Sequence, residues 1–491
     1  MKAARILMMT SKTYHDAITK LNTLQSNAAT ILATRQSGNT KNKMNILEMK
    51  EWVRRIGYSI SDIDKLNIIH ITGTKGKGST AAFTSSILNE YKDSIGKIGL
   101  YTSPHLKSVR ERIRINGIPI SEEKFTKYFF EVWDKLENTS SSLADFPHMT
   151  SGAKPAYFKY LTLLSFHIFL KESCNSCVYE VGVGGEFDST NVVENPVTCG
   201  VSLLGIDHTF MLGNTIEEIA WNKSGIFKKG APAYTVSNQP TNGLKVLRER
   251  AIERETNLVE ISPFKQLKEV KLGIDGKFQI SNASLAVTLA SQFLYTKNIS
   301  TIDPITDDSS IIPEKIVNGL INTKWEGRCQ TLKKGNLTWY LDGAHTKDSI
   351  VAASGWFKDI TENSKCKNIL LFNQQTRDAK ALINDVHKVL YPNVTFDEVI
   401  FTTNVTWSNS GYSADLVSIN TSKDEVESLH VQKALKEEWH SFDKNANISV
   451  IHDIESSCKY IESISKAQNV NIFVTGSLHL IGGLLTVFDG K

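Results

Sequence analysis

The stretch from Leu66 to Tyr91 constrains the fold of this chain more than any other. Leu66 to Ile71 is an apolar run with the character of a buried parallel strand. The turn Thr72-Gly73-Thr74-Lys75-Gly76-Lys77-Gly78-Ser79-Thr80 follows it. Phe83, Ile87, Leu88 and Tyr91 then fall on one face of a helix. Strand, glycine-rich turn and helix together are what a phosphate-binding loop requires. The glycines let backbone N–H groups converge on an anion, and the helix presents its positive end. A lysine adds charge for the outer phosphates, and Ser79 and Thr80 add hydroxyls. The strict Walker spacing is not met, since it would place glycine at Ile71 and serine or threonine at Gly78. A strand–helix turn whose glycines serve only packing is the plainer reading of the same residues.

The chain has 491 residues, enough for two or three domains with cores of their own. A net charge of +4 is too small to argue for nucleic acid, although it suits anionic small substrates. The six cysteines are scattered, and Cys174-x-x-Cys177 has no second pair beside it, so reduced thiols are expected. Phe158 to Leu170 is the most apolar long stretch. It is too short for a bilayer and reads as a helix buried in protein. Lys2, Arg5 and Lys12 without an acid weakly resemble part of a mitochondrial presequence, and an unstructured tail fits them equally.

The rest alternates between strand and helix patterns. Helices are expected at Tyr14–Ile31 and at Met44–Ile56, the second stopped by Gly57, with a polar break over Gln36–Lys43 between them. A strand Lys97–Tyr101 runs into Thr102-Ser103-Pro104-His105, a loop at the sheet edge where ligands bind in open α/β sheets. Val109–Arg114 alternates apolar and charged residues as a half-exposed strand would. Ser121 caps a helix buried through Phe125, Phe129, Val132, Trp133 and Leu136. Later elements are a strand Ala231–Val236, helices Leu244–Glu255, Ala283–Leu294 and Pro313–Ile321, and a loop Asn298–Ser310. A linker falls at Asn322–Gly327. Beyond it strands are expected at Thr338–Leu341, Ile369–Phe372, Glu398–Thr402 and Ile472–Val474, with helices at Ser349–Phe357, Lys380–Leu390 and Glu455–Ile464. No internal repeat is visible. The pattern predicts a large α/β domain and a smaller one without its own phosphate loop.

Two strand ends carry unusual groups. Cys177 to Glu180 is a strand with a carboxylate inside it, followed by Gly182, Gly184 and Gly185. A buried acid is costly unless paired or metal-bound. A strand Cys199–Ile206 is expected to end in Asp207-His208. A solvated strand end and a structural histidine are the bland alternatives to Mg²⁺ binding. Thr215 to Glu218 forms a capping box, which sets the register of the next helix. Ile216, Ile219, Ala220, Lys223 and Phe227 then share the apolar face, so Lys223 points inward. Such a lysine either snorkels to solvent or sits buried with a depressed pKa.

These residues resemble the folylpolyglutamate synthases, of eukaryotic and fungal type, within the Mur-ligase-like enzymes. The resemblance rests on the phosphate loop, Tyr101-Thr102-Ser103-Pro104-His105-Leu106, Glu180 to Gly185, Leu204 to His208 and Ile219 to Ile226. It continues in Trp325-Glu326-Gly327-Arg328, Leu341 to His345 and Val474 to His479, in the family's order over most of the chain. It implies a P-loop N-terminal domain with a parallel-rich sheet and folate-binding loops over residues 1–323. A smaller Rossmann-like α/β glutamate-ligase domain would occupy 324–491. It implies ATP-dependent addition of L-glutamate to the γ-carboxyl of a reduced folate's terminal glutamate. Gly73, Thr74, Lys75, Gly76, Lys77, Gly78, Ser79 and Thr80 would hold the nucleotide, with Asn282, Arg328, Asp342 and His345 reaching it. Ser103, Glu180 and His208 would serve Mg²⁺, with K⁺ as a candidate monovalent ion. Lys77, His208 and Lys223 would be catalytic, Lys223 as a carbamate. For Asp342 a cap on the following helix is the bland alternative, and Lys75 competes with Lys77 for the phosphates. The resemblance also implies a monomer without nucleic-acid partners or a transmembrane segment, in the cytoplasm and also the mitochondrion.

A carboxylate is a poor electrophile, so such a ligase converts it to an acyl phosphate that an amine attacks. That chemistry needs charge neutralisation and positioning rather than a protein nucleophile. No Ser-His-Asp spacing or reactive-cysteine context appears in the chain. Three other activities fit the loop: a dihydrofolate synthase, a P-loop kinase and a non-catalytic nucleotide-binding protein. Lys154-Pro155-Ala156-Tyr157-Phe158 and the chain length favour the polyglutamylating type.

Overall fold

A computed structural model of the chain describes residues 12–25, 44–375, 378–409, 427–465 and 468–490. The first expected helix ends at Asn22, with Thr23 as its C-cap, while the basic N-terminal segment before Lys12, residues 26–31 of that expectation and the polar break after them lie outside the described residues.

Among the described residues fourteen strands form two sheets. The first sheet takes β1 (Ile68–Thr72), β2 (Lys97–Tyr101), β3 (Ile113–Ile115), β4 (Ile118–Pro119), β5 (Cys174–Glu180), β6 (Thr198–Val201), β7 (Ala233–Val236) and β8 (Leu258–Ile261). Their spatial order is β4-β3-β2-β5-β1-β6-β7-β8. All neighbours run parallel except β2 with β3 and β3 with β4. Five consecutive buried residues in β1 explain its apolar run, for it is covered on both faces. The second sheet takes β9 (Gln330–Lys334), β10 (Leu337–Leu341), β11 (Lys367–Phe372), β12 (Glu398–Phe401), β13 (Asn447–Val450) and β14 (Val470–Thr475). Its order is β13-β12-β11-β14-β10-β9, and only β9 is antiparallel.

The helix after β1, Lys77–Asn89, is buried along most of its length and packs against Gln279–Thr296 in one apolar cluster. The opposite face of the sheet is covered by Tyr157–Lys171, whose interior is buried from Tyr160 to Phe169. This accounts for an apolar stretch with no membrane-crossing length. Among the described residues no helix is long and apolar enough to cross a membrane. All six cysteines are free.

Two expected strands differ. β6 stops at Val201 instead of running to Ile206. Ser202 and Leu203 turn away from the ladder to brace the phosphate loop. Ser202 Oγ donates to Lys75 O at 2.7 Å, and Leu203 O accepts the N–H groups of Thr74 and Lys75 at 2.9 and 3.0 Å. Asp207 and His208 therefore sit in a loop beyond the strand. Val109–Arg112 is a 3-10 turn capped by Ser108, and only Ile113–Ile115 pairs as strand. There Glu111 closes the cap against the Ser108 N–H at 3.0 Å, which an extended strand would forbid.

Candidate active site between the two sheets

β1 lies between β5 and β6, and Ile71 is in register with Glu180. The loop after β1 and the carboxylate at the end of β5 are thus neighbours at the carboxyl edge of the sheet, where helix N-termini and strand ends converge. The loop is shaped by two left-handed glycines. Gly73 has φ +148° and Gly76 has φ +85°. A methyl on Gly73 would overlap Ser202 Oγ, and one on Gly76 would overlap Asn282 Oδ1. Asn282 is itself held by Gln279 at 2.8 Å, and Gln279 Nε2 donates to Ser79 Oγ at 3.3 Å. The structure therefore brings Asn282 against the loop.

The two loop lysines differ. Lys75 Nζ pairs with Asp207 at 3.4 Å. Lys77 makes no hydrogen bond or ion pair with any described residue, yet it acts on Glu180 and Lys223 through its charge. Glu180 is 4% exposed and accepts the Ser103 N–H at Oε2, 2.9 Å. Burial pushes its carboxyl above the usual range, against the pull of Lys77, the Ser103 N–H, Arg328 and Arg112. A methyl on Gly78 would stand 3.6 Å from Glu180 Oε1 and 3.5 Å from Trp325 Nε1, so the glycine keeps a gap open between them.

Lys223 is buried, 3% exposed, and its Nζ donates to the carbonyl oxygen of Gly73 at 2.7 Å. Burial draws its pKa well below that of a free lysine, and the charges of Lys77 and Lys75 add to this while Asp207 and Asp188 oppose it. The capping box is present, and Ile219, Ala220 and Lys223 are buried as the register requires. The glycine loop after β5 grips this helix end: Gly185 packs on the backbone of Asn222 and Lys223, and Glu186 N donates to Asn222 O at 2.7 Å. Thr72 Oγ1 ties the same loop to β1 through Gly184 O at 2.6 Å.

His208 caps the short turn Thr209–Leu212 with left-handed backbone, φ +51°. Its N–H donates to Asp207 Oδ1 at 2.9 Å. Ser103 and Glu180 are in contact. Among the described residues no three side chains of the metal-ligating acid, histidine and cysteine types converge on one position.

The second sheet contributes from the opposite side. Asp342, 6% exposed, accepts the Cys329 N–H at 2.8 Å and the Ala344 N–H at 2.9 Å. The following helix, Lys347–Thr361, is capped by Thr346, so Asp342 is not its cap. Burial raises its pKa, opposed by Arg328. Arg328 lies beside Gly343, and His345 Nδ1 meets Gly343 O at 2.8 Å, so these three residues form one cluster. The charge of Arg328 reaches Glu180 in the first unit. Asp348 Oδ2 lies 3.6 Å from a methyl position on Gly205, where Thr74 Cγ2 lies 3.7 Å away. Trp325, Ser202 and Asp348 carry no separate site signal in the sequence. An acid in the first turn of a helix has a sufficient local explanation, and a serine within an apolar run carries no pattern of its own.

Three comparisons bear on this arrangement. A family model described as "Dihydrofolate synthetase, C-terminal domain" matches residues 325–487. A folylpolyglutamate synthase of Saccharomyces cerevisiae is 65% identical over 484 residues, covering 98% of this chain and 88% of the relative. Among solved structures, the Mycobacterium tuberculosis folylpolyglutamate synthase complexed with ADP aligns with a TM-score of 0.70 at 20% identity. That alignment covers 97% of this chain and 99% of that one. A further structure, an FPGS–AMPPCP–folate complex, aligns with a TM-score of 0.67 at 21% identity over 97% and 99% of the two chains.

Proposed function

The chain belongs to the folylpolyglutamate synthase family of ATP-dependent ligases, and from that premise we propose how its residues add L-glutamate to folates. The observation that carries the proposal is the convergence at the end of β1. Lys77, without a protein partner among the described residues, stands within electrostatic reach of Glu180, and Arg328 approaches from the second unit. Residues 1–323 form the nucleotide-holding domain in this reading, and 324–491 the domain that completes it.

The folate γ-carboxylate attacks the terminal phosphorus of ATP, and ADP leaves. The amine of glutamate then attacks the acyl carbon, loses a proton and expels phosphate. The N–H groups at the helix start, Gly76 to Ser79, and the Lys77 ammonium neutralise the phosphates as charge shifts toward the leaving oxygen, while the Thr74 and Lys75 N–H groups hold the loop to Leu203 O. Between Lys75 and Lys77, the pairing of Lys75 with Asp207 favours Lys77 for this role. Asn282 fixes the loop at Gly76, and Arg328 adds a second positive charge, with Asp342 holding the Arg328–Cys329 backbone in place. His345 stands with them at the end of β10. Closure of the two units keeps water from the acyl phosphate.

Glu180 fits Mg²⁺. One carboxylate oxygen is engaged by Ser103 N–H, and the other has no hydrogen-bond donor among the described residues. Ser103 and His208 would complete the candidate set. Bound there, the ion would neutralise the phosphate oxygens. Lys223, buried and inclined to the neutral amine, is suited to attack CO₂. The N–C bond forms, a proton is lost to water, and a carbamate results that would serve the metal as an anion. K⁺, a monomeric state and a distribution between cytoplasm and mitochondrion complete the proposal.

Glutamate-dependent ADP release with a reduced folate as acceptor tests the function. Because the matching C-terminal family is described as a dihydrofolate synthetase, dihydropteroate is the second acceptor. Turnover with dihydropteroate alone would reassign the chain. ADP release that needs no glutamate would make it a kinase or ATPase.

A further inference from the structure

The loop that carries Ser103 continues into a contact that the chemistry above does not use. Leu106 is buried, and its side chain belongs to the hydrophobic cluster of the second sheet, with Trp339, Leu341, Leu480, Ile481 and Leu484. Among the described residues every other member of that cluster lies at or after Leu332. Two glycines make the socket. Gly327, left-handed at φ +71°, would bring a methyl within 3.1 Å of Leu106 Cδ1. Gly482, in the helix Leu478–Asp489, lies so close to the Leu106 carbonyl oxygen that a methyl there would overlap it.

The other side of the loop is gripped by the first unit. The carboxylate of Glu111 accepts the N–H groups of Leu106, Lys107 and Ser108 at 2.8, 3.0 and 3.0 Å. Lys107 Nζ pairs with Glu326 at 3.2 Å and with Asp489 at 3.1 Å, both beside the socket. Those acids are partly exposed, so the ion pairs are weak. The apolar insertion and the backbone contact at Gly482 dominate. Three residues before Leu106, the Ser103 N–H holds Glu180.

We propose that Leu106 is a positioning residue, the pin of a joint that sets Arg328 and Asp342 of the second unit against the phosphate loop of the first. A loop fixed by Glu111 at one side and by Gly327 and Gly482 at the other cannot shift without breaking close-packed contacts. A displacement of the second unit is therefore transmitted to Ser103 and Glu180. The catalytic consequence rests on the ligase reading, whereas the joint itself does not.

The test compares wild type with Leu106→Ala, Leu106→Met and Gly482→Ala in thermal melting, ATP binding, small-angle scattering and glutamate-dependent ADP release. Leu106→Ala is expected to bind ATP as wild type does, to widen the distribution of shapes in scattering, and to lose kcat by about a hundredfold through misplacement. Leu106→Met conserves the volume and should recover most of the rate. Gly482→Ala should lose rate even though alanine suits a helix better than glycine. Wild-type kcat and scattering in a folded Leu106→Ala chain would overturn the proposal. If that variant does not fold, Gly482→Ala decides, and unchanged turnover and scattering there would overturn it. Should wild type itself release no ADP with glutamate, the ligase reading fails and scattering alone decides the joint.

Discussion

The side-chain nitrogen of Lys223 and the carbonyl oxygen of Gly73 are joined by a 2.7 Å hydrogen bond. Through it the end of one helix is fastened to the first glycine of the phosphate loop. A lysine so placed serves geometry whether or not it carries charge.

Its protonation should be visible in stability. In the unfolded chain the amine titrates near 10.5, and burial holds it well below that in the fold. The folded state thus binds the proton less well. The cost is full at low pH, where both states carry it, and is relieved as pH rises toward the unfolded value. In CO₂-free buffer Lys223→Met should be more stable than wild type at neutral pH, with the gap closing in alkali, while ligation is lost. Urea unfolding across pH measures this. Native mass in bicarbonate should show wild type, but not the variant, gaining the mass of CO₂.

Lys77→Ala should fold normally and lose ligation. Removing one charged contact to a transferring phosphate costs about 3 kcal/mol in the transition state, a rate loss of more than a hundredfold. Lys75→Ala, which removes an ion pair with Asp207, should be milder. Turnover assays of both variants decide the assignment, and the reverse order would transfer the role to Lys75.

Glu180→Gln separates stability from activity. Burial raises the folded pKa of Glu180 above its unfolded value of 4.5. Its contribution to stability is therefore fully present below that value and lost as pH rises through the folded pKa. The glutamine variant should melt at a higher temperature than wild type at neutral pH and lose that advantage in acid. It should also require more Mg²⁺ to reach its maximal rate, and that rate should be greatly reduced. A melting temperature lower than wild type at neutral pH would show that the ionised carboxylate is net stabilising.

Gly76→Ala should weaken nucleotide binding. The left-handed backbone costs a non-glycine residue about 1–2 kcal/mol, and the new methyl would overlap Asn282 Oδ1. Calorimetric titration with ATP should show a loss of affinity of about tenfold or more from the combined strain. Asn282→Ala in the same background relieves only the steric part, so partial recovery is expected.

The central strands of the larger sheet were readable because burial on both faces gives them unbroken apolar runs. Lys97–Tyr101 is a strand with the expected bounds, since β2 is buried through four of its five residues. Edges were not readable. Gln330–Lys334 and Asn447–Val450 lie at opposite ends of the second sheet and expose polar residues, so neither shows an apolar pattern. The helix Leu478–Asp489 is apolar all round, and Gly482 and Gly483 mask its period. Leu203, Leu204 and Ile206 look like the continuation of β6, but the backbone there is committed to the phosphate loop. Tertiary use overrides local preference at that point. The closeness of Leu106 to Gly482 is a contact across the whole chain, and no local pattern encodes it.

β1 has a partner strand on each side and no exposed residue. Amides in such a strand exchange with solvent only when the whole unit unfolds. The frame of the phosphate loop is therefore among the last parts of the molecule to open. Arg328 and Asp342 are held against it by the inserted Leu106, by the Arg114–Trp325 contact and by ion pairs whose partners are partly exposed, and these are weaker ties than the buried ladder of β1. Mild denaturant or heat would release those contacts first. The chain would then pass through a state that still grasps nucleotide but no longer completes a peptide bond, so catalysis would disappear before binding does.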